Sequence, residues 1–260
     1  MNERWRHQAW HAAATFVAAL GVFVCLGFVE LTAQQPDFTG VWTNYVEPGG
    51  RGGAPGAATA GGGRGGAAEL PMTPEGRQKV QAYQALIKGT GDTPGGFCLG
   101  TGMPGSMLGS GGYPMEILQR PNQINITYEA HNEVRRVYLG DRIVPPADRL
   151  PGRNGHSTGR WEGDTLVVET TNLVEQADQR YAHSDKATIV ERYRMTKGAK
   201  GERVLVAELT LTDPVFYTKP VTAEKKWAEV PNGHLLPYEC AEEAWNIHLE
   251  KLAEKAAAKK

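Results

Sequence analysis

Apolar and polar residues alternate with a period of two along most of the second half of the chain. Four runs show the alternation over several residues, and they begin at Ile124, Val134, Leu166 and Leu205. Such alternation is typical of strands that bury one face. Shorter runs with strand character occupy residues 114–119, 157–162, 187–195 and 221–228. Because these strands follow one another with no helix between them, the pattern predicts a mainly β protein with an antiparallel meander, hence a barrel or a sandwich. Of the two we expect an antiparallel β-barrel of about eight to ten strands.

Two segments follow a helical period instead. Residues 73–88 are predicted to form a helix because Thr73 can cap its first turn and Pro74 suits the first helical position. Apolar residues recur every three or four positions again from about Ala241. This second pattern predicts a helix that packs at the end of the barrel domain, with residues 246–260 as its end and tail.

The first 33 residues have the pattern of a signal peptide. A short basic stretch precedes an apolar run of 18 residues from Ala12 to Val29, and small residues precede Gln34. The prediction is therefore a periplasmic or secreted protein whose mature chain has no membrane span. An apolar run of this length can also cross a bilayer, so an uncleaved N-terminal anchor is the alternative.

The rest of the chain divides by composition. Residues 34–48 contain a first strand region, and residues 67–245 carry the predicted barrel domain. Between them, residues 49–66 contain ten glycines and two arginines, which predicts a flexible loop. The whole chain of 260 residues has 28 basic and 29 acidic side chains, a net charge of -1. This balance gives no electrostatic reason to expect a nucleic-acid partner.

Cysteine content suggests one disulfide. The chain has Cys25, Cys98 and Cys240, and removal of the signal peptide leaves the last two. An even number of cysteines in an oxidising compartment predicts a bond between Cys98 and Cys240. Free thiols and half of a metal site are the alternatives. Neither cysteine belongs to a CxxC motif or has a histidine within four positions, so no metal is predicted.

Candidate acid–base groups come from histidines near predicted loops. His183 follows a long loop and precedes a strand, which places it at the rim of a barrel mouth, and His131 lies in a predicted turn. Either could act with a strand carboxylate, for which Glu191 and Glu129 are the candidates. The alternative for each histidine is a structural hydrogen bond.

Candidate ligand contacts are mostly flexible or aromatic side chains. Met103, Met107 and Tyr113 would form an adaptable lid over the barrel mouth, Arg136 would orient a polar group, and Trp161 would add an aromatic surface. Residues 100–105 match G-x-G-x-x-G, but no strand precedes them and proline interrupts any helix after them. No nucleotide or other cofactor is therefore predicted.

The chain contains four short motifs and a late cysteine that together form a specific set. They are CLGTGMP at Cys98–Pro104, GRWEGDTLVVE at Gly159–Glu169, HSD at His183–Asp185, TxxDPxxYTxP at the strand end Thr210–Pro220, and Cys240. Over roughly residues 95–245 the chain resembles a family of exported bacterial β-barrel proteins that share these phrases. No activity is established for that family. The resemblance therefore implies export, an all-β body and the two cysteines, and we expect a lipocalin-like, calycin-type barrel.

Three functions are compatible with these patterns. The first is a binding protein for a small, partly apolar molecule. The second is a hydrolase, lyase or isomerase that needs no cofactor and uses a histidine–carboxylate pair in the barrel mouth. The third is an envelope-associated structural protein.

Overall fold

A computed structural model describes residues 35–48, 70–109 and 112–257. The predicted signal peptide, residues 1–33, and the glycine-rich segment, residues 49–66, lie outside the described residues. None of the helices in these described ranges is long and apolar enough to cross a membrane.

Nine strands close into one barrel in chain order. The strands are β1 (Gly40–Asn44), β2 (Met115–Arg120), β3 (Gln123–Tyr128), β4 (Glu133–Leu139), β5 (His156–Glu162), β6 (Thr165–Thr171), β7 (Thr188–Lys197), β8 (Arg203–Thr212) and β9 (Val221–Glu229). Strand β1 pairs with both β2 and β9, which closes the barrel. The prediction of a barrel with eight to ten strands is confirmed.

One neighbouring pair of strands is parallel, which corrects the prediction of an antiparallel barrel. Strands β4 and β5 run in the same direction, with Val137 opposite Ser157 and Leu139 opposite Gly159. A parallel pair needs a long crossover connection because the chain must return to the end where it started. Residues 140–155 make that connection and contain two short 3₁₀ segments. Period-two alternation does not distinguish parallel from antiparallel neighbours, so the sequence pattern could not reveal this pair.

Three α-helices accompany the barrel: α1 (Pro74–Ile87), α2 (Gly105–Gly109) and α3 (Cys240–Ala257). The hydroxyl of Thr73 caps α1 by accepting the Gly76 N–H at 3.0 Å. Gly76 also lets α1 approach the loop between β8 and β9, since a Cβ at this position would lie 2.8 Å from the carbonyl oxygen of Phe216. Helix α1 therefore occupies the range that its sequence predicts.

Side chains fill the interior of the barrel. Among the deeply buried apolar side chains of the strands are Trp42, Ile117, Ile124, Val137, Val168, Ile189, Leu205 and Leu209. Phe38 packs against Trp161 with ring centroids 5.4 Å apart at the end where β1 begins. Met103 and Met107 are buried at the opposite end, where β2 begins. Both methionines belong to the hydrophobic core and close this end of the barrel.

The predicted disulfide between Cys98 and Cys240 is present, with the two Cα atoms 5.5 Å apart. The bond joins the first residue of α3 to the loop that follows the 3₁₀ segment Gly95–Phe97. Farther along α3, Trp245, Leu249 and Leu252 are 59 %, 44 % and 46 % exposed. The covalent bond is therefore a principal attachment of α3 to the rest of the molecule.

Loss of this disulfide should destabilise the protein measurably. The two cysteines are 142 positions apart, and a cross-link over such a long loop removes much of the entropy of the unfolded chain. We expect the double variant Cys98→Ser, Cys240→Ser to lose about 2–5 kcal/mol of unfolding free energy in urea titrations. Reduction of the unsubstituted protein should have the same effect. Equal unfolding midpoints for the oxidised and cysteine-free proteins would contradict this expectation.

Candidate functional site

A buried ion pair connects β4 to β7 inside the barrel. The side chains of Arg135 and Glu191 are 1 % and 0 % exposed and form a salt bridge through both carboxylate oxygens. The Arg135 guanidinium also donates to the hydroxyl of Ser157 at 3.0 Å and to that of Thr170 at 2.8 Å. Every nitrogen of the guanidinium therefore has an acceptor, as a buried charge requires.

Two tyrosines extend this polar cluster. The hydroxyl of Tyr193 donates to Glu191 at 2.8 Å. Burial, with the Glu191 charge as a further cause, raises the pKa of Tyr193 well above its ordinary value. Burial also raises the pKa of Tyr128. Burial lowers the pKa of Arg135 while the adjacent Glu191 raises it, and the net shift is upward. The cluster therefore holds one charged pair and neutral phenols at physiological pH.

The candidate base Glu191 is thus fully engaged with Arg135 and Tyr193. Arg136, the candidate ligand contact, is exposed on the outer face of β4, and its neighbour Arg135 is the interior arginine. Trp161 lies at the end of the barrel opposite to Met107. The structure therefore does not bring these sequence-predicted residues together.

His183 is buried beside the barrel mouth without a carboxylate partner among the described residues. Its Nδ1 lies 3.0 Å from the carbonyl oxygen of Tyr181, so Nδ1 carries the hydrogen and Nε2 keeps its lone pair. Nε2 has no hydrogen-bond partner in the described part of the chain. Burial lowers the pKa of His183, which keeps the ring neutral. The nearby carboxylate of Asp213 instead accepts hydrogen bonds from the backbone and hydroxyl of Ser184.

A set of polar side chains holds the segment that carries the buried methionines, residues 100–107. The carboxylate of Glu133 accepts hydrogen bonds from the Gly102 N–H and from Asn154, both at 2.9 Å. Arg153 donates to the carbonyl oxygen that begins the loop, at 2.8 Å. Met103 and Met107 are therefore buried core side chains at this end of the barrel, and their role as an adaptable lid stays a prediction.

The candidate site is a groove outside the barrel, beside the disulfide. It has a volume of about 560 Å³ and lies between residues 230–239, the first turns of α3 and the turn after β3. Its lining includes Tyr113, Glu129, Leu236, Tyr238, Glu239 and Ile247. Two residues singled out from the sequence for separate reasons, Tyr113 and Glu129, therefore line one surface.

The carboxylate of Glu129 forms the buried part of this groove. Glu129 is 7 % exposed, and its Oε2 accepts the backbone N–H of Leu236 at 2.7 Å. This hydrogen bond holds the 230–239 segment against the turn after β3.

Aromatic rings form one side of the groove. The rings of Tyr113 and Tyr238 meet edge to face with centroids 5.7 Å apart. The imidazole of His131 lies 4.9 Å from the Tyr238 ring. His131 therefore contacts a wall of the groove, and its backbone in the left-handed region, with φ 62°, sets the sharp turn after Glu129.

No known protein family matches this chain, and no curated protein does either. In the described ranges, no group of three or more histidine, cysteine, aspartate or glutamate side chains is arranged to hold a metal ion.

The sequence did not indicate the other walls of the groove. Leu236 and Tyr238 belong to residues 230–239, which show neither helical nor strand periodicity. Glu239 and Ile247 become neighbours of Glu129 only through the disulfide and the path of that segment. The late Cys240 was the one sequence signal that pointed to this region.

Removal of Arg135 should be far more damaging than removal of Arg136. Arg135→Met leaves the Glu191 carboxylate buried without its counter-charge, which costs about 3–5 kcal/mol of unfolding free energy. Arg136→Met, the matched control on the outer face, should change it by less than about 0.5 kcal/mol. Denaturant unfolding of both variants tests this. Comparable losses in the two variants would show that Arg135 is not the interior charge.

Stability should fall in mild acid because of His183. The folded protein holds this histidine at a pKa below its ordinary value of 6.5. At a pH between the pKa of His183 in the folded protein and its ordinary value, the unfolded chain therefore binds more protons than the folded protein does. The unfolding free energy consequently decreases as the pH drops below about 6.5.

The matching experiment compares His183→Asn with His234→Asn, a control outside the buried core. An asparagine amide can still donate to the Tyr181 carbonyl but does not titrate. Urea unfolding between about pH 7.5 and 5.5 should show a weaker pH dependence in His183→Asn only. An unchanged dependence in that variant would mean that His183 titrates normally.

Proposed function

We propose that this protein is an exported binding protein for a small, partly apolar molecule, which occupies the groove beside the Cys98–Cys240 disulfide. The observation that carries the proposal is the groove itself. Its volume of about 560 Å³ falls in the range of about 300–1,000 Å³ that is usual for small-molecule sites. The disulfide and the predicted signal peptide support export, since both are typical of proteins outside the cytoplasm.

The walls of the groove have the composition of a binding site. Leu236, Pro237 and Ile247 offer apolar contact, and the two tyrosine rings add flat surfaces that lose little entropy when a ligand packs on them. Glu129 supplies a polar anchor at a fixed position. A few polar groups within a mostly apolar lining are what orient a ligand.

The position of this site differs from that of a barrel-mouth ligand. The interior is occupied by core side chains and by the Arg135–Glu191 pair, and Met103 and Met107 close the end of the barrel. A likeness to lipocalin-like calycins is therefore proposed for the barrel scaffold alone. The ligand would bind where the loops and α3 extend beyond it.

An enzymatic role has weaker support. The described residues contain no hydrogen bond between a histidine and a carboxylate. Glu191 forms a salt bridge with Arg135, and Nδ1 of His183 donates a hydrogen bond to a backbone carbonyl oxygen. For these two candidates, an acid–base reaction would need an enclosed group to reach a substrate.

An envelope-associated role is the second candidate, and one observation favours it. Trp245, Leu249 and Leu252 form an exposed apolar stripe along α3. Such a stripe is typical of a surface that contacts another apolar surface.

Filling the groove should abolish the binding of a neutral apolar dye. Leu236 is 60 % exposed, so Leu236→Arg should fold normally while placing a long side chain across the groove beside Glu129. We expect its affinity for Nile red, measured by fluorescence titration, to fall at least about tenfold, the effect of losing about 1.4 kcal/mol of contacts. Leu150→Arg, at a leucine 83 % exposed outside the groove, is the control and should bind as before.

Two results would count against the groove. Equal dye affinity in Leu236→Arg and the unsubstituted protein would overturn the proposal. Loss of dye binding in Trp245→Ser, with Leu236→Arg unaffected, would assign the apolar site to the α3 stripe and favour the envelope-associated role.

A further inference from the structure

We propose that the Cys98–Cys240 disulfide is a redox switch: a dithiol protein that contacts Phe97 and Leu99 reduces it, and the reduction releases the α3 wall of the groove. The effect on the groove rests on the proposed function, because it takes the groove as the binding site. The exchange at the disulfide does not depend on that function, so the two can fail separately.

The first argument is the backbone conformation of Cys98. This residue follows the 3₁₀ segment Gly95–Phe97, and its φ of 57° lies in the left-handed region. A residue with a Cβ is disfavoured there, and the conformation persists where the surrounding structure imposes it. The bond to Cys240 is one of the constraints that impose it. Reduction removes this constraint, which makes the bond easier to reduce than one between unstrained cysteines.

The second argument is the access to the disulfide. Both cysteines are only half-buried, and exposed disulfides are the ones that exchange with external thiols. The neighbours of Cys98 on either side, Phe97 and Leu99, are 71 % and 44 % exposed. Large apolar side chains that stay in solvent mark a surface for a partner. Because this surface surrounds a reducible bond, the partner that fits it is a dithiol protein with an apolar rim around its own cysteines.

The third argument is the position of Cys240. It is the first residue of α3, a helix of 18 residues. The positive end of a helix stabilises negative charge on a sulfur there, and a stabilised thiolate is the better leaving group. The Cys240 Sγ also lies 3.5 Å from the carbonyl oxygen of Gly95, which accepts a hydrogen bond from the thiol once it is protonated. The thiolate of the partner therefore attacks Cys98.

The exchange has two steps. In the first, the thiolate of the partner forms a bond to Sγ of Cys98 while the bond to Cys240 breaks, and the Cys240 thiolate takes a proton from water. In the second, the other thiol of the partner loses its proton and attacks the mixed disulfide, which releases Cys98 and closes a disulfide within the partner. Two electrons and two protons thus pass from the dithiol to the cysteines.

Reduction acts on one wall of the groove. Ala244 and Ile247 of α3 line the groove beside Cys240, and the outward side chains farther along the helix are exposed. The opposite wall is held independently, because the Leu236 N–H donates to Glu129 at 2.7 Å. Loss of the disulfide therefore frees α3 and leaves residues 230–239 and the barrel in place.

The first experiment reduces the folded protein with dithiothreitol in the absence of denaturant. Alkylation and mass spectrometry count the free thiols, amide hydrogen exchange follows residues 240–257, and Nile red reports on the groove. We expect two free thiols, faster exchange confined to α3 and its attachment, and a dye affinity at least about tenfold lower. Reoxidation should restore all three readings. The double variant Cys98→Ser, Cys240→Ser should match the reduced protein under both conditions.

The second experiment tests the contact surface with thioredoxin as the dithiol protein. In the double variant Phe97→Ser, Leu99→Ser, the rate of reduction by thioredoxin should fall at least about tenfold, because two apolar contacts are lost. The rate with dithiothreitol, which is too small to need them, should not change. The matched control is Leu150→Ser, Leu118→Ser, at leucines 83 % and 44 % exposed and distant from both cysteines in the chain. It should keep both rates.

Each part of the proposal has a result that would overturn it. Resistance of the folded protein to dithiothreitol, or unfolding of the barrel on reduction, would show that the disulfide is not a switch. Equal thioredoxin rates in the Phe97, Leu99 variant and in its control would remove the contact surface. Unchanged dye affinity with a loosened α3 would overturn the effect on the groove. If the oxidised protein binds no dye while reduction still frees α3, the proposed function fails and the exchange stands.

Discussion

The ion pair between Arg135 and Glu191 limits what the barrel can hold. Two charges removed from water are stable only when every donor and acceptor around them is satisfied, so Ser157, Thr170 and Tyr193 are fixed in place around the pair. Core side chains occupy the remaining interior, and Met107 closes one end. The interior of the barrel is therefore occupied, which is why we propose a binding surface outside its wall.

The groove follows from the way in which the chain leaves the last strand. After β9, residues 230–239 pass to the turn after β3, where the Leu236 N–H meets the Glu129 carboxylate. The disulfide then fixes the start of α3 beside the 3₁₀ segment Gly95–Phe97. Hydrogen bonds to the turn after β3 and one covalent bond thus hold three separate segments at a distance that leaves a groove.

Sequence patterns predicted the scaffold better than the site. Alternation with a period of two identified the strands, and cysteine content identified the disulfide, because both depend on local or countable features. Successive residues of a strand point to opposite faces, however, and β4 has an arginine on each face. The pattern therefore could not show that Arg135, and not Arg136, is the interior residue. The parallel pairing of β5 was hidden because alternation carries no strand direction. Tyr113 and Glu129 attracted attention separately, since only the tertiary path of residues 230–239 brings them together.

Native mass spectrometry of the protein isolated from its own host is the most direct test of the groove assignment, because it detects a retained small molecule whatever its identity. Our account predicts an additional mass that is lost on denaturation, that is present in the unsubstituted protein and in Leu150→Arg, and that is absent from Leu236→Arg. An unsubstituted protein without any bound mass, or a mass that Leu236→Arg retains equally, would contradict the assignment of the groove as the binding site.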